Sequence, residues 1–311
     1  MISVIVCTYN RSESLRKTLG SLAQLRPPGA PWELIVVDNN STDDTAEVAK
    51  TLAAASNLNL RYVSEVNQGL SHARNAGIRA ARGDIIAFTD DDVTVDARWL
   101  CELQKAFDQF DCVGVAGKIV PVWTSQKPSW LELDGPQTLM KGVVCSFDLG
   151  EEPRELNIST APFGAIGANM SFRKVAFERY GFFRSDLGRK GKTLMGGEDT
   201  EFGTRLLRAG DRLVYAPKAV VYHPVAEERL KKRYFQSWYF NYGRYMTRVN
   251  GFAENAVLYF GVPRYLFRSL LTEFSKWLFI FDSQRRFRHK LQLCLCLGEI
   301  SEAHRISKEG K

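Results

Sequence analysis

Residues Ile85 to Val95 read IIAFTDDDVTV, a short apolar run that ends abruptly in Asp90, Asp91 and Asp92. Ile, Ile, Ala and Phe in continuous rather than alternating order mark a strand buried on both faces, as in parallel sheets. The three acids then fall at the carboxyl edge of a sheet, where open α/β folds bind their ligands. Adjacent carboxylates repel one another, so a folded chain tolerates them in water or beside a cation. Hard divalent ions such as Mg²⁺ or Mn²⁺ prefer such oxygen ligands. By itself the triplet fits a solvated acidic turn better, before the next helix, where Trp99, Leu103 and Phe107 recur at helical spacing.

The stretches upstream repeat the same unit. Ile2 to Cys7 is a predicted strand followed by Thr8-Tyr9-Asn10-Arg11, and Asn10 with Glu13 predicts a capping box for a helix carrying Leu15, Leu19 and Leu22. Leu34 to Val37 is a second strand ending in Asp38-Asn39-Asn40-Ser41, and Ser41 with Asp44 predicts the start of a helix with Val48 and Leu52. Leu60 to Val63 is a third. After Asn67-Gln68-Gly69 a helix is expected near Ser71, with Ala73, Ala76, Gly77 and Ala80 allowing close backbone approach. Four strand-helix alternations predict a doubly wound, parallel α/β sheet. Asp38 stands where a dinucleotide-binding domain would hold a ribose, yet no GxGxxG follows the first strand. A nucleotide fits and a dinucleotide oxidoreductase does not.

Downstream the pattern loosens. Val113 to Pro121 reads as a strand, and Ser125 to Pro162 is rich in Pro and Gly, with Trp123 and Trp130 nearby. A long irregular segment in a compact domain points to a substrate loop, its rings stacking on a sugar or covering the sheet. Gly167-Ala168-Asn169-Met170-Ser171 precedes a helix near Lys174 to Tyr180. Arg184 to Gly197 sets glycines around Arg189, Lys190 and Lys192, which suits a lid over phosphate as well as a plain surface loop. Glu198-Asp199 then opens a helix with Phe202 and Leu206 inward and Gly210 as its stop. A carboxylate there is either a proton acceptor or a helix cap. Leu213–Val214 and Ala219–Tyr222 read as two short strands before His223-Pro224, where the imidazole is a ligand or a structural group.

The chain has 311 residues, 45% apolar and 25% charged, the composition of a soluble globular protein. Residues 227–311 hold 16 Lys and Arg against 8 Asp and Glu, or +8, while the remainder holds 26 against 27, or −1. The basic excess belongs to the tail, which argues for a local anionic partner and against a nucleic-acid groove. The six cysteines are scattered without a CxxC pair, so buried thiols are expected and a disulfide framework or zinc site is not. Met1 runs straight into ISVIV with no signal-like segment, so a cytoplasmic location is expected. Ala256 to Phe281, the most apolar stretch, carries Arg264, Arg268, Glu273 and Lys276 and makes a poor spanning helix.

Seven stretches taken in order resemble the inverting family 2 glycosyltransferases of GT-A type over residues 1–245. They are VIVCTYNR at 4–11, VVDNNSTDDT at 36–45, NQGLSHARNAGI at 67–78, FTDDDV at 88–93, GANMSFRK at 167–174, GGEDTEFGTRLLRAG at 196–210 and YHP at 222–224. The resemblance implies a GT-A type, doubly wound, mostly parallel sheet with a C-terminal helical extension, divided at 1–115, 116–224 and 225–311. It implies that Thr8, Tyr9 and Asp38 hold the nucleobase and that Asn10, Arg11, Asn40, Gly69, Arg74, Asn75, Asp90 and Asp91 complete the nucleotide-sugar contacts. Asp92 and His223 are the implied ligands of a divalent metal, Mn or Mg, with the division of labour among Asp90, Asp91 and Asp92 open. Asp199 matches the catalytic base, and Gly167, Ala168, Asn169 and Glu198, with Trp123 and Trp130, line the acceptor side. The QxxRW motif of processive relatives is absent, since Gln236-Ser237-Trp238 lacks the Arg-Trp pair, which implies transfer of one sugar per encounter. The implied partners are a nucleotide-diphospho-sugar and a glycan or lipid-linked acceptor. The tail suits either an anionic membrane face, as a peripheral contact, or a helical bundle or homodimer. A sugar-phosphate nucleotidyltransferase and a non-catalytic sugar-binding scaffold are the alternatives carried forward.

Overall fold

The computed structural model describes the chain apart from residues 56–57, 135–137, 159–163, 192, 254 and 310–311, together with the side chain at 55. Residues 135–137 and 159–162 of the Pro- and Gly-rich stretch, and Lys192 of the glycine-rich loop, therefore lie outside the described residues. Two compact units are present: Met1–Gln126, Leu133–Gly191 and Glu198–Ala226 form the first, and Lys127–Glu132, Lys192–Gly197 and Glu227–Lys311 the second.

The first unit is built on one sheet. β1 (Ile2–Thr8), β2 (Trp32–Asp38), β3 (Leu60–Ser64) and β4 (Ile85–Asp90) lie in the order β3-β2-β1-β4, all parallel. Between them run α1 (Ser12–Leu22), α2 (Thr45–Ala55) and α3 (Leu70–Ala80). Alternate residues of a strand face opposite sides, and here both sides are buried. Ile2, Val4, Val6, Leu34, Val36 and Ala87 pack with Leu15 and Leu19 of α1, Val48 of α2, and Trp99, Leu103 and Phe107 of α4 (Trp99–Gln109). Ile5, Ile35, Val37, Ile86 and Phe88 pack on the other face with Ala73 and Ile78 of α3. Gly77 allows α3 its close approach: a Cβ there would stand 2.6 Å from Ile5 Cγ2.

Beyond β4 the mostly parallel sheet takes in an antiparallel strand. After β5 (Thr94–Val95) and α4 come β6 (Gly114–Trp123), α5 (Leu139–Val143), β7 (Arg154–Glu155), β8 (Asn169–Arg173), α6 (Lys174–Tyr180), α7 (Glu198–Arg208) and β9 (Leu213–Val225). β8 inserts between β4 and β6 and runs antiparallel to both, giving the order β3-β2-β1-β4-β8-β6-β9-β5, with β7 also on β9. The sheet thus remains mostly parallel, with an antiparallel insertion. The two short strands expected at 213–222 are one strand. Its register on β6 jumps from Gly117 opposite Ala216 to Lys118 opposite Val220, so Pro217, Lys218 and Ala219 bulge out of the ladder.

The second unit holds α8 (Lys232–Asn250), the hairpin β10 (Leu258–Tyr259) and β11 (Val262–Pro263), α9 (Arg264–Phe279) and α10 (Ser283–Glu309). α8 and α10 meet backbone to backbone. Any Cβ at Gly243 would overlap the Leu295 carbonyl, and one at Gly298 the Phe240 carbonyl. Glu302, fully buried on α10, pairs with Arg244 and Arg248 of α8 and with Arg305.

Candidate active site

The parallel register carries the chemistry to one edge. Thr8 stands opposite Asp38 and Cys7 opposite Asp90, so the ends of β1, β2 and β4 lie side by side. β8 begins at the same edge, with Asn169 opposite Thr89, and His223 approaches it near the end of β9. The loops after β1 and β2 are stitched together there. Asn10 N donates to Ser41 Oγ at 2.9 Å, Thr42 N to Asn10 Oδ1 at 2.7 Å, and Ser12 N to Asp43 Oδ2 at 3.1 Å. This corrects both expected helix caps. Asn10 sits at φ 50° and caps nothing on α1, whose first turn has no side-chain cap of its own. Asp43 serves α2 by accepting from Thr45 N. Neighbouring loops at one sheet edge exchange their polar side chains, which helix-local patterns do not show.

Asp38 is buried and accepts from Ser41 N at 2.9 Å and from the Tyr62 hydroxyl at 2.8 Å, leaving lone pairs for a further donor. Asn39, unmarked by its motif, takes Gly69 N on Oδ1 at 2.7 Å and donates to the carbonyls of Glu65 and Asn67. It thereby shapes the loop before α3. Gly69 turns that corner at φ 144°. Tyr9 and Asn40, each next to one of these strand ends, are exposed.

The acid triplet separates into two roles. Asp90, Asp92 and His223 bring one ligand atom each to within 4.8 Å of the others. Asp91 is buried and accepts from Arg11 Nη1 at 3.1 Å, while the same nitrogen reaches Asp92 Oδ2 at 2.7 Å. Burial pushes the Asp91 carboxyl up to about 7, against the pull of Arg11. Burial also opposes the Arg11 charge, yet Asp91 and Asp92 outweigh it and raise that guanidinium above its ordinary value. His223 is buried, its Nδ1 is 2.9 Å from the Pro224 carbonyl, and its Nε2 is 3.5 Å from Asp92 Oδ1. A nitrogen facing a carbonyl carries a proton, so in the neutral imidazole the lone pair is on Nε2, toward the carboxylates. Two carboxylates and a neutral imidazole are a donor set that fits Mn²⁺ or Mg²⁺. Arg11 and Arg74 stand among the carboxylates of this edge, and Arg189 also acts on Glu198.

Arg74 joins the two sides. Nearly fully buried on α3, it pairs with Glu198 Oε1 and lies 3.7 Å from Asp90 Oδ1, with the rings of Phe88 and Phe183 about its guanidinium. A Cβ at Gly167 would overlap its Nη2. Glu198 is therefore an internal partner of Arg74. Its Oε2 is buried without a hydrogen bond, and burial pushes the carboxyl up to about 7, partly offset by Arg74. Asp199, next along α7, is half-buried and accepts from Gly167 N at 2.7 Å and from Thr200 N at 2.7 Å. Cys7 lies beneath this cluster, and burial pushes its thiol up to about 12, which removes it as a nucleophile.

The family model described as "Glycosyl transferase family 2" matches residues 3–181, and one described as "Glycosyl transferase family group 2" matches residues 144–297. The chain belongs to glycosyl transferase family 2. It is 31% identical over 250 residues, 76% of this chain and 72% of the relative, to the succinoglycan biosynthesis protein ExoM of Rhizobium meliloti. It is 28% identical over 233 residues, 73% of this chain and 70% of the relative, to the glucosyl-dolichyl phosphate glucuronosyltransferase of Haloferax volcanii. Among solved structures, the mannosyltransferase PcManGT from Pyrobaculum calidifontis, in complex with GDP-Man and Mn²⁺, superposes with a TM-score of 0.58 at 18% identity, covering all of this chain and 75% of that one. Staphylococcal TarS 1–349 in complex with UDP-GlcNAc gives 0.54 at 17%, covering all of this chain and 92% of that one. The fold is the GT-A fold, and the protein is a glycosyltransferase.

Within this family 2 enzyme several of the expected site residues make internal contacts. Asn75 Nδ2 donates to the Phe183 carbonyl at 2.8 Å and its Oδ1 accepts from Phe183 N at 3.1 Å, clamping the segment beside Arg74. Asn169 is wholly buried: its oxygen accepts from Trp99 Nε1 at 2.9 Å, and both amide hydrogens go to the carbonyls of Lys118 and Ala219. It plugs the bulge between β6 and β9. Ala168 is buried too, its carbonyl taking the Thr89 hydroxyl. Trp123 ends β6 at the carboxyl edge, half-buried. Trp130 belongs to the second unit, edge-on to Phe235 and Phe287 at 5.0 Å each, with Lys232 over its ring. Of the glycine-rich loop, Leu187 and Arg189 are fastened to the start of α3 through their carbonyls, which accept from the Ser71 hydroxyl and Leu70 N.

Proposed function

We propose that this glycosyltransferase moves one sugar from a nucleotide-diphospho-sugar to a hydroxyl of a glycan or lipid-linked acceptor, with inversion and with Asp199 as general base. The observation that carries this reading is the meeting of the β4 carboxylates and the α7 N-terminus around one buried arginine, Arg74. Thr8, Tyr9 and Asp38, at the ends of β1 and β2, bind the nucleobase, and the spare lone pairs of Asp38 accept a ring N–H. A divalent ion held by Asp90, Asp92 and His223 would supply Lewis-acid neutralisation of the departing diphosphate. Arg11 and Arg74 balance the carboxylates and fix their orientation. Gly167 N and Thr200 N orient Asp199 so that a remaining lone pair takes the proton of the acceptor hydroxyl as it attacks the anomeric carbon from the far side. A single displacement inverts the anomeric centre, so an α-linked donor yields a β-glycoside. The names of the Haloferax and Rhizobium relatives, a dolichyl phosphate glycosyltransferase and a polysaccharide biosynthesis protein, support an acceptor of this kind.

Incubation with a panel of nucleotide sugars and Mn²⁺ tests the reading. Asp199→Asn should bind donor normally and lose transfer by about 10²–10⁴-fold, the usual contribution of a general base. Transfer at the wild-type rate would remove Asp199 from that role. A chain that binds nucleotide sugars yet transfers none would restore the scaffold alternative.

A further inference from the structure

The second unit presents an apolar face that its own core does not use. On α9 the side turned to α10 is set by Glu273, 2.7 Å from His289, and by Trp277, under the Arg286 guanidinium at 5.2 Å. Leu266 is the buried residue of that side. Leu271, Phe274 and Leu278 recur at three- and four-residue spacing on a different side and are 67, 47 and 48% exposed. The turns at both ends of the helix carry phenylalanines almost wholly in solvent: Phe260 at 91% before it and Phe281 at 97% after it. A 16-residue helix is about 24 Å long, so these tips bracket an extended apolar strip.

The charges choose the occupant. Residues 257–290 contain seven Lys and Arg and two acids, a net +5. Both acids are engaged: Glu273 by Lys276 and His289, and Asp282 by the backbone N of Arg285 at the start of α10. Arg264 and Arg268 are exposed two turns and one turn before Leu271, in line with the apolar row. A second copy laid face to face would set Arg264 and Arg268 against cations of the same sign. Apolar tips among exposed cations instead match an anionic lipid surface, where rings enter the headgroup boundary and arginines meet phosphates. Among the described residues no helix is long and apolar enough to cross a membrane, so such contact lies in the interface plane.

We infer that α9 and its two flanking turns form a docking surface for anionic lipid. The inference is independent of the transfer mechanism, because vesicle binding requires neither donor nor acceptor. Flotation of the full chain with phosphatidylcholine vesicles, with and without phosphatidylglycerol, should show binding to the anionic set that added salt reverses. Phe281→Ser combined with Leu271→Ser should weaken that binding. Arg264→Glu with Arg268→Glu should lower it by about tenfold or more while leaving any residual binding to neutral vesicles unchanged. All four positions are exposed, and unchanged circular dichroism and Tm would show each variant folded. Absence of binding to anionic vesicles at low salt overturns the inference, as does binding unaltered in both folded double variants. Concentration-dependent dimerisation abolished by the same substitutions would assign the face to a second copy instead.

Discussion

Gly167 shows how much of the site hangs on single atoms. Its N–H holds Asp199, and any Cβ would overlap the Arg74 guanidinium that orders Asp90 and Glu198. Gly167→Ala should therefore keep the fold and cut transfer by about 10²-fold, the scale of an ångström misplacement of catalytic groups, with kcat read at saturating donor. Asn169 makes the opposite prediction. Asn169→Ala strands Trp99 Nε1 and two carbonyls in the core, at about 1–3 kcal/mol for each unsatisfied group, so denaturant unfolding should show a loss of several kcal/mol. Sequence reading placed both residues on the acceptor side because they share one short motif. It could not see that Asn169 is spent on a bulge made by β9, fifty residues away, nor that Tyr62 and Asn39 hold Asp38 and the loop before α3. What is legible locally is the placement of acids at or just beyond a strand end: Asp38, Asp90 and Asp92. The separation of Asp91 from its neighbours needed side-chain direction, which alternates along the chain and is lost in a triplet of identical letters.

Elements were legible where their pattern is local. β1 to β4 and the helices between them follow from continuous apolar runs and 3.6-residue stripes, and α6 has the limits that its sequence suggests. β8 was not, because its place between β4 and β6 and its reversed direction depend on pairing that no window of sequence contains. The α8–α10 crossing is similar: Gly243 and Gly298 look like helix weaknesses in sequence and are contact points in space. Gly298→Ala should force the helices apart and cost about 1–3 kcal/mol, seen as a lowered Tm with little change in helical content. Glu299, on the same crossing, has its carboxyl pushed up to about 7 by burial, from 4.5 when unfolded. Between those values the folded chain keeps a proton that the unfolded chain has released, so stability falls as pH rises through the window and levels off above it. Glu299→Gln should flatten that slope and raise Tm at pH 8 more than at pH 4, as a pair of calorimetric scans would record.

At the scale of the whole molecule, two compact units allow two independent perturbations of one chain. Asp90, Asp92 and His223 all belong to the first unit, while Gly298 and Glu299 belong to the second. A ligand that binds only the folded site stabilises by RT ln(1 + [L]/Kd), about 2.7 kcal/mol at a hundredfold excess over Kd, or a few degrees of Tm for a unit of this size. Mn²⁺ with a nucleoside diphosphate should therefore raise the transition that carries the sheet. His223→Ala and Asp92→Asn should each abolish the Mn²⁺-dependent part of that rise, while Ca²⁺-free, Mn²⁺-free scans of the same variants show the fold intact. Gly298→Ala supplies the converse, lowering the transition that carries α8 and α10. If the two units melt separately, Mn²⁺ moves one transition and Gly298→Ala the other. If both treatments shift a single transition, the units unfold as one block, and a change in either then reaches the stability of the other. A Tm unmoved by Mn²⁺ in the unsubstituted chain, with nucleotide present, would show that the three donors hold no cation under those conditions.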